Sequence, residues 1–567
     1  MRFSTPSMPS NPFWLLGILA VIVIASGLGL RDPWPSDEPR FALIAKEIVS
    51  SGNWWFPTRG GDVYAEKPPI FLWISAFFYS LIGDIRWSFL LPSICASFGT
   101  LALTVDLTRR LWNKKTAFWA GIILLTLLQF VAQSKRSQID ALLCFWTTLS
   151  IYGLARHLLD GPAWRWYGIA GIATGLGILT KGVGFLPFLG FLIFLVMRPF
   201  LLPNLFIEKT WRWTIAPIAI LSVLILWAIP VLTMTFWTGD PDQFHYVKTL
   251  LFKQTATRYF AAWHHIKPWH YYLSNVIPWA WFPFSLLLPW LTILWINRIR
   301  HQDPRILFFI SMILAMLIFF SVSTGKRGVY LLPTSAPLAI LIASVLPIWW
   351  NYQWLHKIAN YLKFGLLIGL VIGLIYLLGI RFDLLEGSKG LANFTVICSI
   401  ILFLGISYFF IKRFSFLNAP LTFAMHIWAF WILISVAISP SINDIRSGKE
   451  MMQAVVEAAP NEKIAILDWR EQMLLHAQQP VFHFGYNRPK TEELTVGIHW
   501  MHQNPRDALL MPEKYWLRCK EIQLCTGQEL HKNIGYFHRQ QWTLVQLKPD
   551  DSFHQDYSVV VMRGIDL

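Results

Sequence analysis

Apolar residues run through this chain in long blocks separated by short polar breaks. The first block, FWLLGILAVIVIASGLGL at 13–30, approaches the roughly 20 residues that cross a bilayer as a helix. Blocks of this kind predict helices near 12–30, 87–109, 116–133, 138–156, 165–180, 183–198, 213–236, 273–296, 305–322, 329–349, 362–380, 391–411 and 418–439, about thirteen spans in all. Segment 70–83, IFLWISAFFYSLIG, is short for a span and predicts a helix on, or dipping into, the interface. The blocks lack the alternation of a membrane barrel. No internal repeat stands out, which argues against a transporter built from two related halves.

After Pro440 the pattern changes. Residues 441–567 are polar, with short apolar runs KIAILDW, PVFHFGY, DALLMP, WTLVQLK and YSVVVMR that predict strands. EMMQAVVEAA and REQMLLHAQ have helical periodicity. The expected architecture is an α-helical polytopic membrane domain over 1–440 and a small α/β domain over 441–567. That small domain carries no GxGxxG, no Walker loop and no paired metal histidines, so no catalysis is assigned to it.

Basic residues orient the spans. With the N-terminus inside, the inner loops carry Arg109, Arg110, Lys114, Lys115, Arg156, Arg165, Arg198, Lys209, Arg212, Arg298, Arg300, Arg305, Lys357, Lys412 and Arg413. Every such loop is basic. The outer side then holds 31–86 and the tail. The first block is longer than a signal-peptide core and is expected to stay as an uncleaved helix. The net charge of +16 in a chain that is 55% hydrophobic fits inner loops on an anionic leaflet. No basic run is interleaved with a soluble aromatic platform, so a nucleic-acid partner is excluded. Of the 5 cysteines, Cys95, Cys144 and Cys398 fall in apolar blocks; Cys519 and Cys525 stand in the tail, as a disulfide or as two thiols.

The polar stretch 34–69, WPSDEPRFALIAKEIVSSGNWWFPTRGGDVYAEKPP, breaks the apolar pattern most sharply. It holds Asp37, Glu38, Arg40, Glu47, Glu66 and Lys67 where only 14% of all residues are charged. Ionisable groups beside a membrane are costly and mark functional sites. The outer side also carries Lys135, Arg136, Lys181, Lys326 and Arg327 in very short loops, where topology does not need them. Gathered cations of this kind suit an anionic group such as a phosphate. The plainer reading of each alone is snorkelling to headgroups. Asp37 also has a plainer reading, as the cap of the helix RFALIAKEIVSSG that Gly52 closes. In YAEKPP the two prolines bias Lys67 to an extended backbone and present it with Glu66 at a fixed turn.

DEPRFALIAKEI, SGNWWFP, YAEKPP and WSFLLPS resemble the first outer loop of bacterial membrane glycosyltransferases of the protein-mannosyltransferase superfamily. The similarity runs on through SQIDALL at 137–143, TKG at 180–182, ATRYF at 256–260 and KRGVYLLP at 326–333. Within the superfamily the chain is most similar to the branch that moves 4-amino-4-deoxy-L-arabinose from undecaprenyl phosphate to lipid A. The resemblance implies a C-type glycosyltransferase bundle with a periplasmic α/β domain, in the bacterial inner membrane. It implies catalytic roles for Asp37, with Glu38 beside it, and for Asp140. Donor-phosphate contacts fall to Lys67, Lys181, Arg258, Lys326, Arg327 and Tyr330, and further substrate contacts to Arg40, Tyr64 and Glu66. It also admits a divalent metal near Glu66. The histidine of the family's second outer loop has no counterpart here, since Gln254 and Thr255 stand near its place with His245, His264 and His265 nearby.

The expected chemistry is an inverting transfer of a lipid-linked sugar by a monomer, with no nucleotide sugar. Transfer to another glycan or a protein hydroxyl is the alternative within enzymes. A polyprenyl-phosphate flippase is the alternative of another class. It would also want outer cations, but predicts ionisable groups at mid-membrane.

Overall fold

An apolar segment without water must satisfy every backbone N–H and C=O within itself, and helices do so. In the computed structural model, which describes residues 12–203, 210–250, 266–379, 388–413, 419–486, 488–525, 529–548 and 563–565, helices dominate the apolar blocks. By packing, the chain divides into two units. The first comprises Met1–Leu30, Ala65–Phe71 and Leu90–Ser441; the second comprises Arg31–Tyr64, Leu72–Phe89 and Ile442–Leu567. The polar loop up to Tyr64 thus packs with the C-terminal α/β part.

Among the described residues, five helices are long and apolar enough to cross a membrane: Ile85–Leu111, Ile139–Leu159, Trp211–Thr238, Pro304–Val322 and Ala419–Ser441. Two further pairs pass together but are bent, Lys114–Thr126 with Leu128–Ser134 by 70° and Tyr272–Ala280 with Phe284–Arg300 by 118°. Leu127, with an extended backbone, makes the first bend. Shorter apolar helices include Pro12–Ala25, Ile70–Ile82 and Leu186–Leu201. The expected span 329–349 is broken. It begins as the tight helix Gly328–Thr334, continues as Ser335–Ser344 and breaks at Val345 before Leu346–Trp349. Several apolar helices in one chain make this a multi-pass membrane protein.

The second unit is built on a six-stranded sheet. Its strands are β3 (Ile464–Ile466), β4 (Val481–His483), β5 (Ala508–Pro512), β6 (Glu529–Phe537), β7 (Gln540–Leu547) and β8 (Arg563–Ile565), in the order β6-β7-β5-β3-β4-β8. A separate hairpin in the polar loop, β1 (Thr58–Arg59) with β2 (Asp62–Val63), precedes them. The central strands β5, β3 and β4 run parallel, and β7 and β8 flank them antiparallel. Ile464 and Ile466 of β3 face one apolar core with Met473, Leu474 and Trp542; Ala465 and the following Leu467 face another with Leu494, Ile498 and Trp516. The period of two thus buries both faces of this strand, as a sheet covered on both sides requires.

The runs KIAILDW, PVFHFGY, DALLMP and WTLVQLK all contain strands, and helices Lys449–Ala458 and Glu471–Leu475 form where predicted. Most of YSVVVMR lies outside the described residues. Three elements were not anticipated. Helix Lys490–Gln503 carries Gly497 mid-length, where a Cβ would lie 2.7 Å from Leu467, so close packing rather than helix propensity sets that residue. Helix Glu513–Glu521 and edge strand β6, mostly exposed, lack a clear periodic signal. Cys519 and Cys525 are joined as a disulfide.

Candidate active site

In the first unit one of the outer cations predicted from sequence, Lys181, meets a carboxylate, whereas Lys135 donates instead to Ser26. Asp140 sits in the first turn of Ile139–Leu159, where a helix N-terminus favours an acid. Its Oδ1 accepts from Lys181 Nζ at 2.6 Å. Lys181 lies in the turn after helix Trp164–Ile178, and its ammonium is 4.1 Å from the ring centroid of Tyr330. Ile70, which follows the two prolines, sits beside this turn and donates its N–H to Leu179 O at 3.3 Å. Glu66 and Lys67 are half-buried just before that contact.

Arg327 precedes the tight helix that carries Tyr330, and its carbonyl accepts from Tyr272 OH at 3.3 Å. Lys326 is different. Its buried ammonium donates to the carbonyls of Ser323 and, at 3.0 Å, of Lys267. It ties two loops together. Arg258, with Gln254, Thr255, His264 and His265, lies outside the described residues; His245 is exposed.

In the second unit the motif acids have distinct surroundings. Asp37 stands at the N-cap of helix Glu38–Ser51, with Pro39 in the first turn and Gly52 closing the C-terminus at φ 70°. Its carboxylate makes no capping hydrogen bond. Capping therefore does not explain the residue. Glu38 is buried and paired with Arg31 through two bonds of 2.6 and 2.8 Å, and it accepts a third from Trp34 N at 2.8 Å. That geometry is bidentate and fully used. Arg40 Nε donates to Glu471 at 3.1 Å, and Tyr64 is buried with its N–H on Pro57 O at 2.8 Å.

Several partners were not singled out from sequence. Arg31 and Asp32 stand just before the polar stretch. Asp32 accepts two bonds of 2.9 Å from Arg86 and one of 2.6 Å from Asn443. Burial pushes the Asp32 carboxyl up, but these hydrogen bonds outweigh it and hold it below the usual range. Glu47, already named among the charges of the polar stretch, accepts from Thr58, Gly60 and Gly61, so it fixes the β1–β2 turn; burial nevertheless raises its pKa. Glu471, in the C-terminal part, pairs with both Arg40 and Arg59. The two arginines stand 19 positions apart in the polar loop, and no local pattern in the sequence points to Glu471. For a metal at Glu66, no group of three His, Cys, Asp or Glu side chains converges among the described residues. Gln254, Thr255, His264 and His265, which stand near the place of the remaining donors, lie outside the described residues.

Comparison with known proteins agrees with the motifs. Residues 66–237 match the family described as dolichyl-phosphate-mannose-protein mannosyltransferase. A relative from Shewanella sediminis, named undecaprenyl phosphate-alpha-4-amino-4-deoxy-L-arabinose arabinosyl transferase, is 32% identical over 332 residues, covering 56% of this chain and 56% of the relative. One of the same name from Aeromonas salmonicida (strain A449) is 31% identical over 350 residues, covering 58% and 59%. The chain thus spans little more than half the length of these relatives. The crystal structure of ArnT from Cupriavidus metallidurans bound to undecaprenyl phosphate superposes with a TM-score of 0.71 at 16% identity, over 94% of this chain and 98% of that one. That likeness establishes the fold. The resemblance read from the motifs holds: the chain is similar to the protein-mannosyltransferase superfamily and to its aminoarabinose-transferase branch.

Proposed function

We propose that this relative of the aminoarabinose transferases is an inverting glycosyltransferase that moves 4-amino-4-deoxy-L-arabinose from undecaprenyl phosphate to lipid A. The observation that carries the reading is that Lys181, Asp140 and Tyr330 meet in one unit, beside the stretch 65–70 that follows Tyr64. Lys181 and Tyr330 were named from sequence as donor-phosphate contacts and Asp140 as a catalytic acid, and they come from separate stretches of chain.

A polyprenyl phosphate leaves readily when its developing charge meets preorganised cations in a pocket of low dielectric. Lys181 and Lys67 fill that role, with Arg327 and Arg258 as further donors. Lys326 is assigned to holding its loops, because its ammonium is already shared between carbonyls. Asp140 orients Lys181. Asp37 acts at the sugar. If the acceptor is a hydroxyl, Asp37 takes its proton. If it is a lipid A phosphate, that group is already ionised, and Asp37 orients the oxocarbenium-like centre instead. Glu38 is assigned to structure through Arg31.

The same reading places about thirteen spans in the bacterial inner membrane with the second unit in the periplasm. The Cys519–Cys525 disulfide suits that oxidising compartment. The chain acts as a monomer. Mass spectrometry of lipid A from cells with and without this protein tests the acceptor. The expected result is loss of a pentosamine-sized addition; unchanged lipid A redirects the reading to another glycan or a protein hydroxyl.

A further inference from the structure

Open parallel sheets bind ligands outside the carboxyl ends of their strands, where successive connections leave to opposite faces. In the second unit that point lies between β3 and β4. The chain leaving β3 enters Glu471–Leu475, whose Met473 and Leu474 join one core. The chain leaving β4 enters Lys490–Gln503, whose Leu494 and Ile498 join the other. Trp469, His483 and Tyr486 wall the crevice between them, with Trp469 stacked on His483 at 4.5 Å.

The β1–β2 hairpin of the polar loop fills this crevice. Gly60 sits at φ 61°, and a Cβ there would lie 2.6 Å from Trp469 and 2.9 Å from His483. The guanidinium of Arg59 is 3.5 Å from the ring centroid of Tyr486, and Asp62 accepts from Tyr486 N at 3.0 Å. Behind the hairpin, the buried Glu471 carboxylate holds Arg59 and also Arg40, which lies on the helix that Asp37 begins. Leu43 of that helix is part of the α/β core.

We propose that the α/β domain uses its ligand crevice to hold this chain's own hairpin, and that Glu471 is a positioning residue for the loop bearing Asp37 and Tyr64. The inference rests on the transferase reading above. The domain takes no soluble ligand at that crevice; it sets loop geometry. The test uses the full-length protein in lipid nanodiscs, with Glu471→Gln, which removes the charge, and Gly60→Val, which blocks the crevice and leaves every charge in place. Should Glu471→Gln fail to fold, Gly60→Val carries the test. Two quantities are measured: hydrogen exchange over residues 39–64, and transfer from a lipid-linked aminoarabinose donor.

The expected result is at least tenfold faster exchange with a 10- to 100-fold lower kcat, while KM for the donor stays within threefold. A merely destabilised domain would lower the active fraction without that exchange pattern being confined to 39–64. Unchanged exchange, or faster exchange with unaltered kcat, overturns the proposal. A wild-type protein that transfers nothing would instead overturn the transferase reading, and the exchange arm would still report whether the hairpin is held.

Discussion

Two buried ion pairs, one in each unit, use the same chemistry to different ends. Arg31 and Glu38 close on each other. Both carboxylate oxygens are taken, a backbone N–H adds a third bond, and the side chains keep only 9% and 7% of their surface. Lys181 and Asp140 meet through one 2.6 Å contact, keep 19% and 11%, and leave the ammonium over a tyrosine ring. A saturated pair holds a fold. A pair with a remaining open side can receive an anion. Residue type alone does not separate the two cases; the number of satisfied acceptor and donor sites does.

The sharpest way to break this comparison is to neutralise neighbouring acids. Asp37→Asn should lower transfer by at least about 100-fold with little change in unfolding temperature. Glu38→Gln should do the reverse, costing about 3 kcal/mol of stability because the buried Arg31 loses its carboxylate partner. The kcat of the folded fraction should stay within a few-fold. Kinetics and thermal unfolding of both purified variants check the pair. Equal phenotypes would erase the distinction between the two acids.

Next in size is the open pair. Lys181→Met should reduce kcat by about 100-fold through the lost cation and cost about 2 kcal/mol through the stranded Asp140. Asp140→Asn together with Lys181→Met should recover most of the stability and none of the activity. A double-mutant cycle on unfolding and turnover reads both.

The crevice gives a pH test. Burial pushes the His483 imidazole down from 6.5 to about 4, so the folded unit prefers it neutral. The unfolded chain binds the proton first, and stability therefore falls as pH drops from about 6.5 to about 4, by up to about 3 kcal/mol. His476 and His538 are lowered by burial too and act in the same direction. His483→Gln should flatten the slope in urea unfolding between those pH values; an unaltered slope would remove His483 from that role. The smallest effect is the disulfide. Cys519 and Cys525 are 6 positions apart, and closing so short a loop contributes about 2 kcal/mol. Cys519→Ser with Cys525→Ser should lower the unfolding midpoint modestly and leave transfer unchanged.

Much of this was legible in the chain. Spans of apolar residues fold as helices because helices satisfy their backbones, and the SQIDALL, TKG and KRGVYLLP motifs bring Asp140, Lys181 and Tyr330 into contact. Four strands of the tail were legible because their apolar runs are short and bounded by polar breaks. What the sequence hid is long-range. Glu471 reads as an ordinary first-turn acid until Arg40 and Arg59 arrive from more than 400 residues away. Gly60 reads as a turn glycine, and only the indole and imidazole against it show a second constraint. Edge strand β6 exposes most of its residues and so has no alternation to detect. Lys326 sits in a motif with Arg327, and nothing local says that backbone carbonyls consume its ammonium.

The central claim is that Asp37 and Lys181 each serve transferase chemistry on a lipid-linked sugar. Its most direct measurement is release of free undecaprenyl phosphate when the purified protein in nanodiscs is given the lipid-linked aminoarabinose and lipid A. The account predicts release by the wild type, release by Glu38→Gln in proportion to its folded fraction, and none above background by Asp37→Asn. Release by Asp37→Asn at the wild-type rate, or none from the wild type, would contradict it.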